Sequence, residues 1–285
     1  MKIIITGANG QLGSEFRVLE SRYPGHEFIF LSRQELSVAD ADSVKDILSK
    51  YRADWCVNCA AYTAVDKAES EKDMAMSVNG NAPGMLAKAC AELGTRFIHI
   101  STDYVFDGSS STPYSEDAAT GPINTYGDTK LKGEQLAMQH NPASIIIRTS
   151  WVYSVYGNNF VKTMMRLMNE RESINVVADQ VGSPTYAADL AQAIMHIMES
   201  RAASSAKGIF NYSNEGQISW HEFAMAIKEI IGSNCAVNPI PTSQYPTPAR
   251  RPQFSLLDKT KIRTTFDLPI PNWKDSLRIC ISKMK

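Results

Sequence analysis

The chain has 285 residues, 44% hydrophobic and 21% charged, a composition that supports a sizeable core and excludes intrinsic disorder. A formal net charge of −1 gives no global reason to bind nucleic acid or an anionic membrane, so any anionic ligand must be held by local charges. Five scattered cysteines make no disulfide framework, the apolar start is too short for a signal segment, and no later run could span a bilayer, which together predict a cytoplasmic protein.

Apolar, β-branched runs alternate with helix-period stretches. Strands are predicted over 2–6, 27–31, 55–59, 96–100 and 144–149, with helices over 11–22, 40–51, 72–93 and 125–140 between them. Near-continuous apolar strands joined by helices predict an α/β fold with a Rossmann-like, doubly wound parallel sheet. Further strands are expected over 174–177 and 208–212, and helices over 158–171, 187–200 and 219–231. Beyond Ile231, Asn238-Pro239-Ile240-Pro241 and the proline-punctuated stretch 245–252 cannot continue a helix or a central strand. The expected division is a nucleotide-binding domain over 1–150, with later segments up to about 232 returning in part to the sheet, and a smaller, mainly substrate-binding C-terminal domain over 151–285.

The first strand runs directly into Gly7-Ala8-Asn9-Gly10-Gln11-Leu12-Gly13 and then into a helix. A dinucleotide pyrophosphate needs close backbone approach, free N–H groups and the positive end of a helix dipole, and a glycine loop in this position supplies all three. Gly7, Asn9, Gly10, Gln11, Leu12 and Gly13 are therefore candidate cofactor contacts, although the spacing is G-x-x-G-x-x-G and not the commoner G-x-G-x-x-G. The second strand ends in Ser32-Arg33, where an acid would select the ribose hydroxyls of NAD. A hydroxyl and a guanidinium suit a 2′-phosphate; Arg33 as a solvated turn residue is the plain alternative.

Cys56-Val57-Asn58-Cys59 has C-x-x-C spacing, but it lies inside an apolar strand whose alternation sends the two thiols to opposite faces. No second pair completes a zinc set, so core cysteines are expected and no metal site.

Tyr126 and Lys130 stand at i and i+4 of a predicted helix, on one face. Carbonyl reduction needs a proton for the alkoxide formed as hydride arrives, and an ammonium beside a phenol lowers its pKa toward a useful range. Lys130 can also hydrogen-bond a nicotinamide ribose. The strand over 96–100 ends at Ser101-Thr102-Asp103, and a hydroxyl at the carboxyl end of a parallel strand faces the ligand crevice. Thr102 or Ser101 can share the developing charge, or merely cap a turn. His99, inside the strand, is expected to be a satisfied core histidine.

These residues together resemble the extended short-chain dehydrogenase/reductases. Longer strings resemble the dTDP-4-dehydrorhamnose reductases among them: NCAAYTAVDKAE at 58–69, STDYVFDG at 101–108, RTSWVY at 148–153, GNNF at 157–160 and PTPARRP at 246–252. The resemblance implies NADPH-dependent reduction of the C4 ketone of a dTDP-linked keto-sugar, dTDP-4-dehydro-β-L-rhamnose, with NADH also usable. It places the catalytic set on Thr102, Tyr126 and Lys130, and cofactor contacts on the glycine loop, Ser32, Arg33, Ala61, Tyr62, Thr63, Tyr126 and Lys130. Substrate contacts fall on Thr102, Asp103 and Trp151, with Arg250 as a diphosphate clamp because a guanidinium fork suits phosphate. Some relatives bridge a homodimer through Mg²⁺ held by glutamates; Glu15 fits, but Ala188 stands where a second glutamate is expected, which argues against it. The alternatives are another nucleotide-sugar 4-ketoreductase, or a non-catalytic regulatory subunit of the same fold.

Overall fold

The structure, a computed structural model, describes residues 1–284. The first half contains β1 (Lys2–Thr6), α1 (Gln11–Glu20), β2 (Glu27–Leu31), α2 (Ala41–Tyr51), β3 (Trp55–Asn58), α3 (Val65–Ala68) and α4 (Lys72–Ala75). It continues through α5 (Ala82–Leu93), β4 (Arg96–Thr102), α6 (Thr125–His140) and β5 (Ile145–Thr149). There follow β6 (Val152–Tyr153), α7 (Phe160–Glu170), β7 (Ser173–Val177), β8 (Val181–Gly182), β9 (Thr185–Tyr186), α8 (Ala187–Glu199) and β10 (Gly208–Asn211). The chain ends with β11 (Ile218–Ser219), α9 (Trp220–Ile231), β12 (Ala236–Ile240), α10 (Thr260–Phe266) and α11 (Trp273–Ser282).

Six parallel strands form the central sheet in the order β10-β5-β4-β3-β1-β2. Side-chain alternation along β1 shows why both faces are covered. Ile3 and Ile5 enter the core packed under α1, α8 and α10, while Ile4 enters the opposite core under α2 and α5. All three isoleucines are fully buried, each contributing about 2–3 kcal/mol of transfer free energy. Cys56 and Cys59 divide between the same two cores, as the alternation predicts.

The helix expected over 72–93 is interrupted. Between α4 and α5 the residues Met76–Asn81 form a π-helical stretch. Pro83 follows at once, at the start of α5, and has no N–H to give an upstream carbonyl. The wider turn sends the Asn79 side chain inward, where it accepts from Tyr62 N–H at 2.8 Å and donates to the Tyr62 carbonyl at 2.9 Å. β4 runs two residues beyond its expected end, because Ser101 and Thr102 continue the pairing with Arg148 and Thr149.

A second core, built by α7, α9, α11 and β7, packs beside the sheet. Pro239 is accommodated in β12, which pairs only with β7 in a two-stranded ribbon. Among the described residues no helix is long and apolar enough to cross a membrane.

Candidate active site

Gly7 turns the chain out of β1 at φ +63°, and a Cβ there would stand 2.6 Å from the Ala60 nitrogen. A Cβ on Gly13 would meet the Gly7 carbonyl at 2.6 Å, so the third glycine closes the loop on itself rather than seating the helix on the sheet. Gly10 is the N-cap of α1 and no side chain caps that helix, which leaves its first N–H groups for an anion. Asn9 is exposed, Leu12 is buried, and the Gln11 side chain accepts from Asn159 at 3.0 Å, tying the loop to the 157–160 string. The Ala61-Tyr62-Thr63 segment lies beside this loop, and Asn79 pins its middle residue. A loop that narrow, with unused N–H groups at its lip, fits a dinucleotide diphosphate.

At the end of β2 the structure adds a group the sequence reading did not name. Ser32 is buried, and both its N–H (2.8 Å) and its hydroxyl donate to Glu35. These bonds hold the Glu35 carboxyl below its usual range, so a fixed negative charge stands at the strand end that seemed to lack one. Arg33 is exposed beside it.

Thr102 and Tyr126 meet because of two local devices. Asn124 caps α6 by accepting from Gly127 N–H at 2.8 Å, and a Cβ on Gly127 would lie 2.1 Å from the Tyr104 carbonyl. Only glycine lets the start of α6 come so close to the turn after β4. The Tyr126 hydroxyl is then brought beside Thr102, and its ring stands edge-on to Tyr104 at 5.6 Å. Thr102 also accepts from Tyr104 N–H at 3.2 Å, so it is both a cap and a site hydroxyl. Ser101 donates to Glu134 at 2.5 Å instead, which leaves Thr102 as the hydroxyl beside Tyr126. Glu134 is itself gripped by buried Arg148 through Nε at 2.9 Å and Nη2 at 2.7 Å.

Lys130 does not lower the Tyr126 pKa as the i, i+4 spacing suggested. Burial pushes the phenol up to about 12, against a smaller lowering by Thr102. Lys130 is buried and turned inward, donating to the Ile100 carbonyl at 2.6 Å, and burial pushes its ammonium down to about 8.

Asp103 lies 2% exposed behind Thr102, accepting from its hydroxyl at 2.9 Å, while its second carboxylate oxygen has no hydrogen-bond partner among the described residues. Desolvation pushes its carboxyl up to about 6, with the Ser255 hydroxyl nearby. Ser255, which no sequence motif singled out, also stands with the Trp151 indole over Gly182, where a Cβ would be 2.8 and 2.9 Å from them. Trp151 adopts φ +48° and stacks on Trp220 at 3.6 Å, which brings a second indole to the expected sugar side. Because the folded pKa of Asp103 is raised, its contribution is favourable below about pH 4 and is lost as pH rises through about 6. Asp103→Asn should therefore be about 2–3 kcal/mol more stable than wild type near neutral pH and equal to it near pH 4. Urea denaturation at the two pH values checks this; a gain that does not depend on pH removes the buried charge as its cause.

Arg250 is exposed and makes no ion pair among the described residues, whereas its backbone carbonyl accepts from Asn124 at 2.7 Å. Arg251 is committed to Asp66 at 2.8 Å, and Glu69 caps α6 by accepting from Thr125 N–H at 2.8 Å. The acids of the 58–69 string thus assemble the site and do not line it. Glu15 is 3% exposed and accepts from the Ser154 hydroxyl at 2.6 Å.

A Rossmann sheet with a glycine loop after β1, and with Thr102, Tyr126 and Lys130 gathered around the end of β4, defines an oxidoreductase of the extended short-chain dehydrogenase/reductase class. The family model described as RmlD substrate binding domain matches residues 1–285. The chain is 44% identical to a dTDP-4-dehydrorhamnose reductase of Sinorhizobium fredii, over 98% of this chain and 96% of that protein. Crystal structures of dTDP-4-dehydrorhamnose reductases from Clostridium acetobutylicum and Bacillus anthracis are similar at TM-scores of 0.94 and 0.93, both at 38% identity. The first covers 100% of this chain and the second 99%, with 99% of each relative covered; the second is a complex with NADP. The chain belongs to the dTDP-4-dehydrorhamnose reductase family.

Proposed function

We propose that the chain reduces the C4 ketone of dTDP-4-dehydro-β-L-rhamnose to dTDP-β-L-rhamnose with NADPH, and that Thr102, Tyr126 and Lys130 carry the reaction. Family membership supports the reaction, and the approach of the Thr102 and Tyr126 hydroxyls supports the residues. The bound dihydronicotinamide supplies a hydride to C4. Tyr126 donates its phenolic proton to the C4 oxygen, and Thr102 turns its hydroxyl from Asp103 to donate to that oxygen as charge develops on it. Lys130 holds the nicotinamide ribose and offsets charge on the phenolate. Asp103, Trp151 and Ser255 face the sugar. The division into a nucleotide-binding part over 1–150, joined by segments up to about 232, and a mainly substrate-binding part over 151–285 fits this reading. Turnover of NADPH with the dTDP-keto-sugar, and identification of the product by NMR, tests it; no turnover, or turnover only with another nucleotide or sugar configuration, sinks it.

Arg250 is the diphosphate clamp in this reading. Arg250→Ala should raise KM for the nucleotide-sugar roughly tenfold with kcat changed less than about twofold, because a contact far from C4 serves ground and transition states alike. An unchanged KM in steady-state kinetics removes Arg250 from the clamp.

Glu35 and Arg33 act on the 2′-phosphate with opposite sign, so the NADPH preference is modest and NADH is also used. Arg33→Ala should weaken NADPH binding roughly tenfold and spare NADH, while Glu35→Gln should tighten NADPH a few-fold, both effects shrinking with salt. Titration of each cofactor by fluorescence measures this; equal effects on the two cofactors overturn it.

A further inference from the structure

Beneath α6 a line of buried polar groups runs from β1 to Lys130. The Thr6 hydroxyl donates to Asn58 Oδ1 at 2.6 Å, and Ala60 N–H donates to the same oxygen at 3.2 Å. A backbone N–H cannot accept, so the Asn58 amide has one orientation, with its NH₂ toward His99. Asn58 Nδ2 stands 3.0 Å from His99 Nδ1, and an NH₂ can only donate there, so Nδ1 carries no proton. Burial holds the ring neutral, which puts its single proton on Nε2, 3.4 Å from Lys130 Nζ.

His99 therefore aims a donor at Lys130. An ammonium has three N–H groups and no lone pair. The Ile100 carbonyl accepts one of them, and another would meet Nε2–H hydrogen to hydrogen. A neutral amine satisfies both neighbours: it donates to Ile100 and accepts from His99. The other ionisable groups around Lys130 do not change this balance. Glu134, one turn along α6, is taken by Arg148 and Ser101. The Cys59 thiol, after β3, and the Tyr126 phenol, one turn before, are both pushed up by burial and stay protonated.

We propose that His99 is a positioning residue, which favours the neutral amine of Lys130 until the cofactor binds, so that at mildly alkaline pH a proton from solvent is taken up at Nζ on binding. The proposal rests on the reading of Lys130 as the partner of the nicotinamide ribose. Ribose hydroxyl oxygens offer the acceptors that His99 does not, and the cofactor phosphates favour the added positive charge.

NADH is the probe, because it has no 2′-phosphate to titrate. Calorimetry of NADH binding near pH 8.5, in buffers of different ionisation enthalpy, should show uptake of about 0.7 proton, from a Lys130 pKa of about 8 before binding to an ordinary lysine value after it. In Asn58→Asp the new carboxylate accepts from Nδ1–H, the ring turns the Nε2 lone pair to Lys130, and uptake should fall below about 0.2 proton. Lys130→Met should abolish it. Uptake that is absent in wild type, persists in Asn58→Asp or survives Lys130→Met overturns the role of His99. If Lys130→Met leaves NADH affinity unchanged, the ribose reading of Lys130 is what fails. Should Asn58→Asp not fold, ¹⁵N spectra of the wild-type histidines decide the question. His99 is expected to stay protonated at Nε2 alone over about pH 6–9, and a ring protonated at Nδ1 overturns the proposal.

Discussion

Tyr126→Phe should lower kcat by about 10²–10⁴ while leaving the dissociation constant for NADPH within roughly twofold of wild type. The phenyl ring keeps its edge-on contact with Tyr104, so packing at the start of α6 survives. What disappears is the hydroxyl beside Thr102 and, in the proposed mechanism, the proton for the C4 oxygen. That interaction is used mainly in the transition state, so the loss belongs in kcat and not in binding. The phenol stays protonated across the working pH range, since burial holds its pKa high in the absence of cofactor. A donor with so high a pKa needs stabilisation of its phenolate at the moment of transfer, which is the task assigned to Lys130. Single-turnover measurements with saturating NADPH separate the two effects. Retention of most of the wild-type rate would take Tyr126 out of the acid role.

The largest effect on stability is expected at Arg148. Its guanidinium is 2% exposed and grips Glu134, itself 3% exposed, through two nitrogens, with a further bond from Nη1 to the Glu116 carbonyl at 3.2 Å. Arg148→Leu leaves a buried carboxylate with only Ser101 as a donor, and should cost about 3–5 kcal/mol of unfolding free energy. Arg148→Leu combined with Glu134→Leu removes both charges and should recover most of that loss, because an apolar pair of similar volume avoids the desolvation penalty. Denaturant titration of the two variants decides the matter. A double variant as unstable as the single one would show that packing of Arg148 against Phe106, where the guanidinium lies 5.0 Å from the ring, matters more than charge.

The sequence discloses whatever is local. The run from β1 through Gly7 to α1 is contiguous, and so are the shared face of Tyr126 and Lys130 and the hydroxyl at the end of β4. Each follows from a period or a turn within a few residues. Contacts between distant segments are a different matter. Ser255 joins Asp103 across the fold, and no periodicity marks it. Glu35 lies only three residues from Ser32, yet its return to that residue depends on a turn the apolar pattern does not describe. The i, i+4 rule correctly placed Lys130 on the face of Tyr126. It could not say that Nζ would turn toward Ile100 and His99, because that choice is made by the carbonyl and the imidazole of β4. The π-helical stretch was hidden for a similar reason: a widened turn keeps the helical composition, and its consequence shows only in a distant contact, that of Asn79 with Tyr62.

The strand β10 lies beside β5, yet the whole stretch from β6 to α8 separates them along the chain. A ribosome releasing the protein from its N-terminus therefore presents β5 with a bare edge until β10 has emerged. At typical elongation rates that interval lasts a few seconds, during which unpaired N–H and C=O groups are free to pair with another nascent chain. Phe210 on β10 is then closed over by Phe266 of α10, 5.1 Å away, which is made later still. Synthesis halted between β6 and α8 should yield fragments that aggregate, and the native sheet is completed only when β10 has been made.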